Sequence, residues 1–147
     1  MMTRRRLLRV IDQKKVVAAI EAAERETSGE IRVSVSPLFW GNVHKVAERA
    51  FTRLGMTATQ RRNGVLFFIV PARRRFVVLG DEGIHAKVGD EFWRKVVDAV
   101  STRFREGDFT AGLIHGIETV GRELAAHFPY DPATDRNELP DDVDFGS

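Results

Sequence analysis

The sequence predicts an α/β fold: a three-layer α/β/α sandwich, with a small mixed sheet and helices on both faces. Three observations carry this expectation. Apolar residues recur at helical spacing in some stretches and at strand spacing in others. The stretches follow the order helix, strand, helix, strand, strand, helix, helix. A helix joins the first two strands and a short turn joins the last two, so the first pair is parallel and the second antiparallel.

Each element has its own justification. From about Asp12 to Thr27, Val16, Ala19, Ile20 and Ala23 form one stripe, with Asp12 placed to cap the helix. "EIRVSVS", Glu30 to Ser36, alternates as a strand does, with Ile31, Val33 and Val35 one way and Arg32, Ser34 and Ser36 the other. From about Asn42 to Leu54, Val43, Val46, Ala47, Ala50 and Phe51 keep helical spacing, and Gly55 stands where a helix ends. "GVLFFIV", Gly64 to Val70, is apolar on both faces, as a central strand covered on both sides requires. "RFVVLG", Arg75 to Gly80, follows a basic turn with Pro71, Arg73 and Arg74, which makes a hairpin. Phe92, Trp93, Val96, Val97, Val100 and Phe104 define a helix from about Asp90 to Phe104. Ile114, Ile117, Gly121, Leu124 and Phe128 define the last, capped by Asp108 and stopped by Pro129. The expected domain is 1–128, followed by an extended acidic tail, 129–147.

Composition narrows the function classes. The 147 residues suit one domain and include no cysteine, which excludes disulfides, thiolate metal sites and a thiol nucleophile. No apolar run approaches the roughly 18 residues of a membrane span. The basic start does not read as a leader, because Arg9 and Asp12 interrupt its apolar run. The expected location is therefore cytoplasmic. The tail carries six acids and one arginine, a net of −5, which leaves +7 on residues 1–128 of a chain whose total is +2. Leu139, Val143 and Phe145 could anchor that tail on its own domain. The arginines fall in three clusters, Arg4–Arg6, Arg61 with Arg62, and Arg73–Arg75. Their spread over two ends of the sheet argues against nucleic acid as a partner.

"GDEGIH", residues 80–85, is the stretch with most chemical content. The predicted topology brings Glu30, Asn63, Asp81 and Glu82 to one end of the sheet. Adjacent carboxylates repel, and a cation relieves that repulsion. Carboxylate and amide oxygens suit calcium or magnesium rather than zinc. The plainer reading is a polar turn that stops a strand, since Asp, Glu and Gly are common in loops for backbone reasons. His85 is the one histidine beside this loop and the candidate for acid–base chemistry, against a ring that merely packs there. Arg61 or Arg62 at the same edge would suit a phosphate oxygen beside a metal. His44 and His115 fall off their apolar stripes and read as solvated. His127 suits a helix C-terminus.

"ETSGEIRVSV", "RRNGVLFFIV", "LGDEGIHAKVGDEFW" and "FREGDFTAGLIHGIETVGRELAAHFP", in this order, resemble the TPM domain family. The family takes its name from a thylakoid lumen phosphatase, a photosystem repair protein and a nematode receptor modulator. The resemblance covers about residues 12 to 129, and "NELPDDVDFG" is similar to the end of a bacterial subgroup. It implies an α/β/α sandwich, divalent-cation binding, calcium in particular, and an acid phosphatase activity attributed to some members. By position it implies metal ligands at Asp81 and Glu82, with Glu30 and Asn63 at neighbouring motif positions. Three readings follow. One is a calcium- or magnesium-binding domain without catalysis, acting in protein or complex maintenance. Another is a metal-dependent phosphatase acting on phosphomonoesters, with metal and arginine polarising the phosphoryl group. The third is a metal-free protein interaction module. The sequence names no protein partner and no oligomeric state.

Overall fold

The computed structural model describes residues 10–37, 40–133 and 139–146. The Arg4–Arg6 cluster lies outside the described residues. The elements are α1 (Gln13–Glu24), β1 (Glu30–Val35), α2 (Val43–Arg53), β2 (Gly64–Val70), β3 (Arg75–Gly80), α3 (Glu82–Arg105) and α4 (Phe109–His127). The order is the expected one. The sheet runs β1-β2-β3, with β2 parallel to β1 and antiparallel to β3.

Side-chain caps fix three helix starts. Asp12, Asn42 and Asp108 accept from the amides of Lys15, Lys45 and Ala111. Each such cap contributes about 1 kcal/mol. Beyond Val70, a 3-10 turn from Pro71 to Arg73 reverses the chain, with Arg74 in the left-handed region at φ 48°.

Two layers of helix cover the sheet. Ile31, Val33, Val35, Val65, Phe67 and Ile69 pack toward α1, α3 and α4 in the main core. Leu66, Phe68 and Val70 pack on the opposite face against Val43, Ala47 and Ala50 of α2. All seven residues of β2 are buried. Burying one large apolar side chain contributes about 1.5–3 kcal/mol, so β2 is the strand the fold depends on most.

Two features depart from the pattern in the sequence. The acidic stretch is no loop: α3 begins at Glu82, and Asp81 is its N-cap. The expected helix from Asp90 is the second part of α3, because Gly89 at φ 74° interrupts the helical backbone. The second departure concerns β1. Its sequence alternates polar and apolar, yet all six residues are buried. The physical reason is the C-terminal segment, which lies along its edge. The Val35 amide donates to Asp144 O at 2.7 Å, and the Asp144 amide donates to Val33 O at 2.9 Å. Val143 enters the main core, while Leu139 packs on the second cluster. The tail thus folds back on its own body, as its apolar residues suggest.

Candidate metal centre

The strand register explains what the acidic stretch does. Glu30 sits opposite Gly64, and Val65 sits opposite Gly80, so Glu30, Asn63 and Asp81 do reach one end of the sheet. But β2 lies between β1 and β3. Two strand spacings of about 4.8 Å separate the backbones that carry Glu30 and Asp81.

Asp81 is buried and answers an arginine. Arg62 Nε donates to Asp81 Oδ2 at 2.6 Å and Arg62 Nη2 donates to Oδ1 at 2.9 Å. Such a two-point fork is the strong form of this pair. Arg62 Nη1 donates to the exposed Glu82 at 3.1 Å. Backbone geometry sets this up. Arg62 lies at φ 52°, and its carbonyl accepts from the Gly83 amide at 2.8 Å. A Cβ on Gly83 would stand 2.2 Å from the Arg61 carbonyl oxygen, so only glycine permits the approach. The positive group held by Asp81 and Glu82 is therefore Arg62.

His85 is likewise engaged. Trp93 Nε1 donates to its Nδ1 at 3.0 Å, and its Nε2 lies 3.5 Å from Asp90. It is half-exposed. His44 and His127 pair with Glu48 and Glu123 one turn away on their own helices. His115 is partly buried rather than solvated.

The carboxylates that do converge are different. Oxygens of Glu24, Glu30 and Asp141 lie within 4.8 Å of one another. They come from the end of α1, the start of β1 and the tail. Glu24 Oε2 accepts from the Ile31 amide at 2.9 Å, which ties the helix end to the strand edge. Glu24 Oε1 is buried, and no donor reaches it among the described residues. Burial first, then hydrogen bonding to Asp141 and the proximity of Glu30, push the Glu24 carboxyl far above the usual carboxylate range, against the Ile31 amide. Two unit charges at 4.8 Å repel by about 3 kcal/mol in a medium of intermediate polarity, so three ionised carboxylates call for a proton or a cation. Asn63, at the neighbouring strand entrance, has a buried amide oxygen that no donor reaches among the described residues.

Of the four expected ligands, the structure leaves Glu30 and Asn63 at the strand entrances and commits Asp81 and Glu82 to Arg62. Glu24 and Asp141 were missed. Glu24 had a signal: it follows Val16 and Ile20 at intervals of four, on the stripe that faces the core. A glutamate at that position needs a partner or a neutralising group. Asp141 had none, since it lies 111 residues from Glu30 in an otherwise irregular acidic tail.

Comparisons with known proteins agree with this architecture. A family model described as the TPM domain matches residues 2–123. The NMR structure of BA42 from the psychrophilic bacterium Bizionia argentinensis is 39% identical with a TM-score of 0.84, and the match covers 91% of this chain and 92% of that one. An N-terminal domain from P. gingivalis is 19% identical with a TM-score of 0.64, covering 78% of this chain and 76% of that one. The N-terminal domain of the cg2496 protein from Corynebacterium glutamicum is 14% identical with a TM-score of 0.58, covering 88% and 75%. At such identities the last two speak for the fold alone. No curated protein sequence matches the chain. No helix among the described residues is long and apolar enough to cross a membrane.

Proposed function

Because the chain belongs to the TPM domain family, we propose that it is a divalent-cation-binding domain, for calcium or magnesium, whose ion is held by Glu24, Glu30 and Asp141. The observation that carries this reading is the convergence of three carboxylates from three separate elements, one of them with a buried oxygen that no donor reaches among the described residues. The donor set contains only oxygen, the ligand type of hard cations. Asn63 Oδ1 would supply a further oxygen from the adjacent strand. Asp81 and Glu82 do not enter the set, because both are already paired with Arg62.

The ion would replace mutual repulsion with attraction to one centre. It would join α1, β1 and the tail at a single point. Arg62, the arginine suited to a phosphoryl oxygen, is taken up by Asp81 and Glu82, and His85 is held by Trp93.

Thermal unfolding in chelator and in calcium tests the reading. A ligand at about one hundred times its dissociation constant stabilises the folded chain by about 2.7 kcal/mol. A raised midpoint in millimolar calcium, absent in the Glu24→Gln chain, is the expected result. Equal midpoints in calcium and in chelator would defeat the proposal.

A further inference from the structure

A second feature lies on the α2 face of the sheet and does not depend on the cation. Between β1, α2 and the tail is a cavity of about 430 Å³, bordered by Ser34, Arg49, Arg53, Phe68 and Phe145. That volume is in the range of small-molecule sites, roughly 300–1,000 Å³. Its wall is mostly apolar surface, with polar groups from Ser34, Arg49 and Arg53. Arg49 and Arg53 are one helical turn apart on α2, so their side chains share a face. Phe68, Val46 and Ala50 give an apolar floor.

One corner of this cavity already binds a carboxylate. Arg53 Nη1 and Nη2 donate to Asp144 at 3.3 and 2.8 Å, and the buried Ser34 hydroxyl donates to Asp144 Oδ2 at 2.8 Å. The neighbouring Arg49 has no ion-pair partner among the described residues and is exposed at the cavity rim. The cavity therefore combines a guanidinium without an ion-pair partner among the described residues, a corner where Arg53 and Ser34 already hold a carboxylate, and an apolar floor.

We propose that this cavity binds a small organic carboxylate with an apolar body. The carboxylate meets Arg49, and the body lies against Phe68 and Phe145. Arg53 and Ser34 stay with Asp144 and shape the polar wall rather than contact the ligand. A guanidinium fork matches a planar carboxylate, and an aryl or branched acyl group fits the floor.

The test uses the full chain and 3-phenylpropionate as probe, with amide shifts read by NMR and affinity by calorimetry. The neutral isostere 3-phenylpropan-1-ol and the Arg49→Gln chain are the comparisons. Arg49 is exposed, and an unchanged melting temperature will confirm that this variant folds. The expected result is shift changes centred on Ser34, Arg49, Phe68 and Phe145. Affinity falls about tenfold for the alcohol, and about tenfold for Arg49→Gln, as loss of one charged hydrogen-bonded pair predicts. Absence of binding overturns the proposal. So do equal affinities for acid and alcohol, an unaltered affinity in Arg49→Gln, or shifts confined to residues away from this cavity.

Discussion

Replacing Glu24 by glutamine should flatten the pH dependence of stability in the metal-free chain. The carboxyl has an ordinary value of 4.5 and a raised one when folded, with burial as the first cause. Above the ordinary value the unfolded chain has released this proton, while the folded chain keeps it. The folded state then binds one more proton, so stability falls as pH rises, by at most about 1.4 kcal/mol per unit. The group is not wholly enclosed, and other groups titrate too, so the useful quantity is wild type minus Glu24→Gln. Between about pH 5.5 and 8 that difference should change by roughly 2–3 kcal/mol, with the wild type losing ground at the alkaline end. Urea unfolding in chelator across this range measures it. In saturating calcium the wild-type slope should largely vanish, because the ion replaces the proton. Parallel stability curves for the two chains in chelator would refute the reasoning, since they would mean Glu24 ionises in the folded state without cost.

Other changes have equally definite outcomes. The Asp144 carboxyl is raised by burial but lowered more by Arg53, Ser34 and the Gly146 amide, so its net value lies below 3.8. Its stabilising effect is present above that ordinary value and disappears as pH falls through the folded one; acid unfolding of Asp144→Asn below about pH 4 should therefore be shallower than that of wild type. Arg53→Ala removes a partly exposed pair worth about 1 kcal/mol or less, and faster hydrogen exchange at the Val35 amide should report the loosened tail. Gly83→Ala forces a Cβ against the Arg61 carbonyl oxygen, and urea unfolding should show a loss of about 1–3 kcal/mol. Val143→Ala should cost about 2 kcal/mol by the same measure, because the tail residue is 6% exposed in the main core.

The fold was legible because its signals are local. Val16 to Ala23, Gly64 to Val70 and Ile114 to Phe128 each declare their period within one element, and Asp12 and Asp108 mark their own helix starts. Topology then placed Glu30, Asn63 and Asp81 at one end of the sheet, as the register bears out. What topology did not supply was lateral position within that end. Asp81 lies beyond β2 from Glu30, where an arginine in a left-handed backbone conformation meets it, and no periodicity announces such a conformation at Arg62. The carboxylate group was hidden for a similar reason. It joins a helix end, a strand start and a tail, and its members are related only by the folded chain. The burial of Arg32 and Ser34 in β1 was hidden too, because it depends on a tail that docks from more than a hundred residues away.

Calcium binding by calorimetry on four chains tests the central claim most directly: wild type, Glu24→Gln, Asp141→Asn and Glu82→Gln. If the ion belongs to the Glu24–Glu30–Asp141 group, the first two substitutions each abolish or weaken binding at least about tenfold, the scale of one lost charged contact. Glu82→Gln, on an exposed residue paired with Arg62, leaves the affinity unchanged. Calcium binding that survives Glu24→Gln and Asp141→Asn but is lost in Glu82→Gln would contradict the account and return the ion to the start of α3.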